Sequence, residues 1–266
     1  MKLHFDSNQE YQWDAIKSIT DIFEGQPLNS GDFEFTTSNA GALLSENGFG
    51  NNLTLSAEQV LENVKAIQKR NEITNSVEEL QGMNFSVEME TGTGKTYVYL
   101  RTVYELNKLY GFKKFVIVVP SVAIREGVLK NLQITHEHFQ SLYDKTSINF
   151  DIYDSKKVSN LRGFSSGNAI QVLVINIDSF AKDENIINKP NDKLTGKKPI
   201  EFIQSTKPIV IVDEPQNMET GIRKKAIQNL EPLCTLRYSA THTNLYNLMY
   251  SLNPVKAYDL GLVKQI

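Results

Sequence analysis

The residues Thr91-Gly92-Thr93-Gly94-Lys95-Thr96 place two glycines, a lysine and a hydroxyl in one short run. Glycine reaches positive φ without steric cost, so the backbone can approach an anion closely. Successive N–H groups then converge on that anion, helped by the positive end of a following helix. In such a loop Lys95 is expected to reach the β- and γ-phosphates of ATP, and Thr96 to offer its hydroxyl to Mg²⁺. The general phosphate-loop pattern also asks for a glycine upstream, where Met89 and Glu90 stand. A second group is Asp213-Glu214-Pro215-Gln216, directly after the apolar run Ile209-Val210-Ile211-Val212. Carboxylates at the C-terminal end of a buried strand lie where α/β sheets bind ligands. Asp213 is expected to hold Mg²⁺ through water, and Glu214 to polarise an attacking water. An acidic turn closing a strand is the plainer alternative for that pair. A third group, Ser239-Ala240-Thr241, again follows a strand-like run. There Ser239 and Thr241 are expected to couple a change at the γ-phosphate to a neighbouring surface, although such a tripeptide alone is uninformative. His242 reads as a loop histidine rather than a ligand.

The elements around these groups follow from periodicity. Apolar runs at 85–89, 115–119, 150–153, 172–177 and 209–212 read as strands, with 235–238 a weaker candidate. Several lack polar alternation, as do strands buried on both faces of a parallel sheet. Helical patterns fall between and after them at 95–110, 122–143, 221–229 and 244–252. Strands alternating with helices predict an α/β fold with a mostly parallel sheet. Upstream, Ile16, Ile19, Ile22 and Phe23 fit an amphipathic helix over 14–24. Residues 25–52 are rich in Gly, Ser, Asn and Thr and predict a long loop or irregular insertion. The segment 56–70 reads as a helix opened by a Ser56/Gln59 capping box. The polar, lysine-rich stretch 182–198 predicts a surface loop.

Composition narrows the setting. The 266 residues are 40% hydrophobic and 22% charged, an ordinary globular balance. A single cysteine, Cys234, rules out an internal disulfide and argues against a cysteine-based metal site. That fits a reducing cytoplasm. No apolar run approaches the length that crosses a bilayer, so no membrane partner is expected. A net charge of −3 does not advertise nucleic acid, though a few placed cations suffice for phosphate contacts.

The three groups, in this order, resemble those of superfamily 2 helicases and translocases, and more narrowly the Res subunit of type III restriction enzymes. Met89 and Glu90 ahead of Thr91-Gly92-Thr93-Gly94-Lys95-Thr96 match that family's version of the loop. Asp213-Glu214-Pro215-Gln216 is the more telling match, and Ser239-Ala240-Thr241-His242 also agrees. Tyr11-Gln12-Trp13-Asp14-Ala15-Ile16 is similar to the family's glutamine motif. The resemblance covers essentially the whole chain and implies a RecA-like P-loop NTPase lobe over 85–266. Residues 1–84 form an N-terminal extension ahead of it. It implies that Gln12 reads the adenine edge, although by itself Gln12 is an unremarkable helix residue. Val119-Pro120-Ser121 and Asn176-Ile177-Asp178-Ser179-Phe180 look like segments that contact a DNA strand, through Pro120, Ser121, Asn176 and Ser179. The cofactors implied are ATP and Mg²⁺, and the partners are double-stranded DNA and a DNA methyltransferase (modification) subunit.

The expectation is therefore the first ATPase lobe of an ATP-dependent restriction endonuclease that translocates on DNA and cleaves it. No second-lobe or nuclease motif follows Thr241, so the chain is expected to be a fragment, either a truncated reading frame or an excised domain. Without the arginine finger of a second lobe, turnover falls by roughly 10³–10⁵ in related phosphoryl-transfer sites. The chain is thus expected to bind nucleotide and hydrolyse it very slowly. A remnant that serves only as a nucleotide-binding interaction module is the alternative. A small-molecule kinase is disfavoured, because the Asp213-Glu214 pair suits water activation and no arginine-rich lid is visible.

Overall fold

The computed structural model describes residues 5–28, 50–74 and 76–263. Helix α1 (Glu10–Thr20) runs into a 3₁₀ turn at Asp21–Phe23, and α2 spans Ala57–Arg70. Then follow β1 (Asn84–Met89), α3 (Lys95–Tyr110), β2 (Lys114–Val119), α4 (Val122–Leu142), β3 (Ile148–Ile152), α5 (Asn160–Ser166) and β4 (Ile170–Asn176). The chain continues through α6 (Pro199–Gln204), β5 (Ile209–Asp213), α7 (Gly221–Asn229), β6 (Cys234–Ser239), β7 (Leu248–Leu252) and α8 (Pro254–Asp259). The seven strands form one sheet in the order β3-β4-β2-β5-β6-β1-β7, with every neighbouring pair parallel. This is the α/β arrangement with a mostly parallel sheet expected from the sequence.

The unbroken apolar runs are explained by two cores, one on each face. Phe115, Ile117, Val119, Ile209 and Ile211 point to one side, among residues of α1, α2, α3 and α4. Val116, Val118, Val210 and Val212 point to the other, among residues of α5, α6 and α7. Alternation is present, but both faces are apolar. The N-terminal helices belong to the first core: Ala15, Ile16 and Ile19 of α1 and Val60, Val64 and Ile67 of α2 are buried with β1 and β7. Helix α1 begins four residues before the expected start, because Tyr11 and Gln12 are drawn onto the phosphate loop rather than left in solvent. The capping box of α2 forms as expected: Ser56 Oγ accepts from the Gln59 backbone and the Gln59 side chain accepts from the Ser56 backbone.

One expected helix is a strand. The segment 244–252 contains β7, which pairs with β1 from Ser86 to Met89. Asn247 sets this up: it is buried at φ 40°, off the helical path, and bonds three main-chain groups. Its Nδ2 donates to the carbonyls of Gly82 and Asn84 at 3.0 and 2.7 Å, and its Oδ1 accepts from Gln81 N at 3.1 Å. Partners some 160 residues away decide the conformation, which a local pattern does not contain. The short helices α5, α6 and α8 had no clear periodic signal. The stretch 182–198 is less of a solvated excursion than expected. It holds 3₁₀ turns at Ile186–Asn188 and Asp192–Leu194 whose Ile187 and Leu194 are fully buried. Most of the expected 25–52 insertion lies outside the described residues. Its ends are tied down: Gln26 bonds Thr54 N and Asn52 O, and Asn51 bonds the main chain of Lys113 and Lys114.

Candidate nucleotide site at the sheet rim

Three adjacent strands, β5, β6 and β1, end at one rim, and each carries one of the sequence groups there. After β1 the chain turns through Gly92 at φ 82° and Gly94 at φ 92°, then enters α3 at Lys95. Gly94 is the N-cap of this 16-residue helix and supplies no side-chain cap, so the first N–H groups of α3 are left for an anion. A Cβ on Gly94 would meet Gln12 Nε2 at 2.6 Å and push that amide off the loop, and φ 92° is strained for any side chain. Met89 and Glu90 keep negative φ, which is why glycine is dispensable there. Instead the Glu90 carboxylate accepts from Thr91 N at 2.7 Å, and its carbonyl accepts from Thr93 Oγ1 at 2.6 Å, stiffening the loop from inside.

The glutamine motif reaches this loop from α1. Tyr11 OH and Gln12 Nε2 both donate to the Thr93 carbonyl, at 3.1 and 3.2 Å. Gln12 is buried against the loop, and Trp13 beside it carries the Arg101 guanidinium on its ring at 3.9 Å.

From β5 come Asp213 and Glu214. Lys95 Nζ stands 3.4 Å from Glu214 Oε1 and 3.3 Å from the Met89 carbonyl. Asp213 is buried, and its Oδ2 accepts from Tyr99 OH at 3.3 Å. Burial, then the neighbouring Glu214 charge, pushes its carboxyl up to about 6. Glu214 shifts the other way. Burial acts to raise it, but hydrogen bonds from Gln216 and Ser239 and the charge of Lys95 hold it below the usual glutamate range. Two adjacent carboxylates are thereby driven apart, one protonated more readily and one less. Glu214 itself sits at φ 56°, a left-handed conformation that turns its carboxylate back to the rim.

Ser239, at the end of β6, closes a triangle with Glu214 and Gln216. Gln216 Nε2 donates to Glu214 Oε2 at 2.8 Å. The Ser239 hydroxyl has one proton and three acceptors in reach: Glu214 Oε2 at 3.0 Å, Gln216 Oε1 at 2.8 Å and Thr241 O at 2.8 Å. It also accepts from Thr241 N at 3.0 Å, so Thr241 is held through its backbone while its side chain is exposed. His242 Nε2 bonds the Val87 carbonyl of β1 at 3.0 Å, in keeping with a loop anchor rather than a ligand.

The structure thus gathers Gln12, Thr91 to Thr96, Asp213, Glu214 and Ser239 at one rim. It adds two residues that the sequence reading gave no role. Gln216 was visible only as part of a matching tetrapeptide. Tyr99, four residues after Lys95, is an aromatic inside a helix, a type and place that ordinarily mean core. Pro120, Ser121, Asn176 and Ser179 lie apart, at or just after the ends of β2 and β4. Ser121 Oγ caps α4 at Ile124 N, and Asn176 Oδ1 caps a 3₁₀ turn at Asp178 N, local tasks that account for those residue types. Ser179 lines a separate cavity of about 750 Å³ with Arg125, Tyr153 and Asp154, which touches neither Lys95 nor Asp213.

The donors present suit a magnesium–nucleotide. Among the described residues no cluster of three or more His, Cys, Asp or Glu could hold a metal unaided. One buried carboxylate and one threonine hydroxyl beside a phosphate loop fit Mg²⁺, which keeps water and phosphate oxygens as most of its ligands. Among the described residues no helix is long and apolar enough to cross a membrane.

Residues 7–244 match the family described as "Type III restriction enzyme, res subunit". The chain is 32% identical over 239 residues to the Type III restriction-modification enzyme EcoP15I Res subunit of Escherichia coli. It is 31% identical over 239 residues to the EcoPI Res subunit of Escherichia phage P1. Each match covers 80% of this chain and 24% of the relative, so the chain spans about a quarter of their length. Among solved structures, the chain is similar to a nuclease-deletion mutant of the Type ISP restriction-modification enzyme LlaGI in complex with a DNA substrate mimic. That overlap has a TM-score of 0.45 at 14% identity, over 76% of this chain and 20% of that one, too low to carry a functional argument. The family match, together with a phosphate loop and an acidic pair meeting at the rim of a parallel sheet, leads to one assignment. The chain belongs to the type III restriction enzyme Res subunit family.

Proposed function

We propose that this chain binds Mg²⁺–ATP at the rim formed by β5, β6 and β1, as the first motor lobe of a subunit that moves along double-stranded DNA and cuts it with a methyltransferase partner. One observation carries the reading: the 3.4 Å approach of Lys95 Nζ to Glu214 Oε1, which joins two groups from opposite halves of the chain. On this reading Gln12 reads the adenine edge, and the amides of Thr91 to Thr96 hold the phosphates. Lys95 exchanges its pairing with Glu214 for the β- and γ-phosphates. Thr96 and Asp213 would hold Mg²⁺, which supplies neutralisation of phosphate charge when bound. Once Lys95 has moved, Glu214 Oε1 is free to take a proton from the attacking water, while Oε2 stays fixed by Gln216 and Ser239. Ser239 then carries the change at Glu214 to Thr241 and its loop. Pro120, Ser121, Asn176 and Ser179, at the ends of β2 and β4, are the proposed contacts to DNA.

Titrating a fluorescent ATP analogue with Mg²⁺ tests this. Lys95→Ala should weaken binding at least tenfold, through loss of a charge-assisted phosphate contact. Equal binding by parent and variant would show the loop assignment to be wrong.

A second reading, nucleotide binding without significant turnover by this chain, has an observation in its favour. Among the described residues no arginine forms an ion pair with Asp213 or Glu214. Arg101 is committed to Ser7 and Tyr143, and Arg237 to Glu219.

A further inference from the structure

Tyr99 is fully buried, yet it ends in a hydroxyl placed between the two residues proposed to hold magnesium. It lies on α3 three residues after Thr96, so both occupy one face of the helix. Its hydroxyl donates to Asp213 Oδ2 at 3.3 Å, across 114 residues of sequence, and the Thr96 hydroxyl one helical turn back acts on the same phenol, favouring its ionised form. The Tyr238 ring of β6 packs against it at 5.6 Å between centroids and fixes its direction. The chemistry of this arrangement is directional. A threonine that gives a lone pair to a cation must send its proton elsewhere, and a phenol oxygen can take it. The phenol proton in turn needs an acceptor, and the Asp213 carboxylate is one.

We infer that Tyr99 is a positioning residue that orients Thr96 and Asp213 together, so that the hydroxyl lone pair and the free carboxylate oxygen are both presented to the cation. The inference rests on the nucleotide-site reading above. A hydroxyl that only filled the core would serve packing and leave metal affinity untouched. One that orients two ligands acts as an outer-shell partner, whose loss commonly lowers metal affinity 10–100-fold.

The test uses Tyr99→Phe, which removes a single oxygen, and Mn²⁺ as a magnetic probe in place of Mg²⁺. Nucleotide affinity in EDTA should stay within about twofold of the parent, showing that the pocket is folded. Mn²⁺ affinity of the nucleotide-loaded chain, read by electron paramagnetic resonance, should fall about tenfold. In a cycle with Asp213→Asn, the Tyr99→Phe loss should shrink, because part of its effect passes through that carboxylate. Parental Mn²⁺ affinity in Tyr99→Phe, or losses that simply add in the double variant, would overturn the inference while leaving the site reading intact. A parent that binds nucleotide no better than Lys95→Ala overturns the site reading and this inference with it.

Discussion

At the scale of single residues, the informative contrast is between Asp213 and Glu214. The Asp213 carboxyl is raised from 3.8 to about 6, so the folded chain keeps its proton at pH values where the unfolded chain has lost it. Its contribution to stability is complete below about pH 4 and gone above about pH 6; beyond that, the metal-free fold carries a buried, under-compensated charge. Two pH units correspond to about 3 kcal/mol. Asp213→Asn should therefore stabilise the chain in EDTA at pH 8 by about 2–3 kcal/mol in urea denaturation, and by almost nothing at pH 4. A constant difference across that range would place the charge elsewhere. Glu214→Gln makes the opposite point. It discharges the partner of Lys95, so the lysine is released to phosphate. ATP-analogue affinity should hold or rise a few-fold while residual hydrolysis disappears; weaker binding would mean that the pair organises the loop instead of competing for the lysine. The sequence showed Lys95, Asp213 and Glu214 because their types are unusual at a strand end or a glycine turn. It hid Tyr99 because an aromatic inside an amphipathic helix reads as core, which it also is. Only the partner 114 residues away reveals the task of its hydroxyl.

At the scale of elements, the same rule separates what the pattern showed from what it did not. Helices 95–110 and 221–229 were legible to the residue, because glycine or a clear change of periodicity marks their ends. Strand β7 was not, because Asn247 takes its conformation from Gly82 and Asn84. Lys114 is a second such case: the first residue of β2, a lysine, is fully buried. Its Nζ donates to the carbonyls of Phe164, Ser165 and Gly167 at 2.6, 3.0 and 2.7 Å, closing the C-terminal end of α5 onto the sheet. Burial, with some repulsion from Lys113, pushes this ammonium down to about 8, still charged at neutral pH, and three acceptors need the three N–H groups that only the charged form has. Lys114→Met keeps the stem and removes the donors. It should cost about 3 kcal/mol in denaturant unfolding, the desolvation penalty of carbonyls left without partners. A neutral result would mean that water replaces the ammonium there.

At the scale of the whole molecule, the sheet was legible as parallel α/β from its runs of doubly buried residues, but its strand order was not. Order depends on which crossover packs best, and no local signal encodes that. Among the described residues no arginine forms an ion pair with Asp213 or Glu214. Steady-state hydrolysis by the pure chain should be barely detectable and unchanged by duplex DNA, roughly 10³-fold or more below a motor with its finger in place. Brisk, DNA-stimulated turnover would show that the chain supplies the missing cation itself. Strand β6 has one further consequence. Neighbouring strands lie about 4.8 Å apart, so its insertion between β5 and β1 holds the lysine-bearing and aspartate-bearing main chains about 10 Å from each other. It works as a gauge block: the clearance it sets is wide enough for the proposed phosphate and its cation to slip between side chains that, without them, reach across and touch.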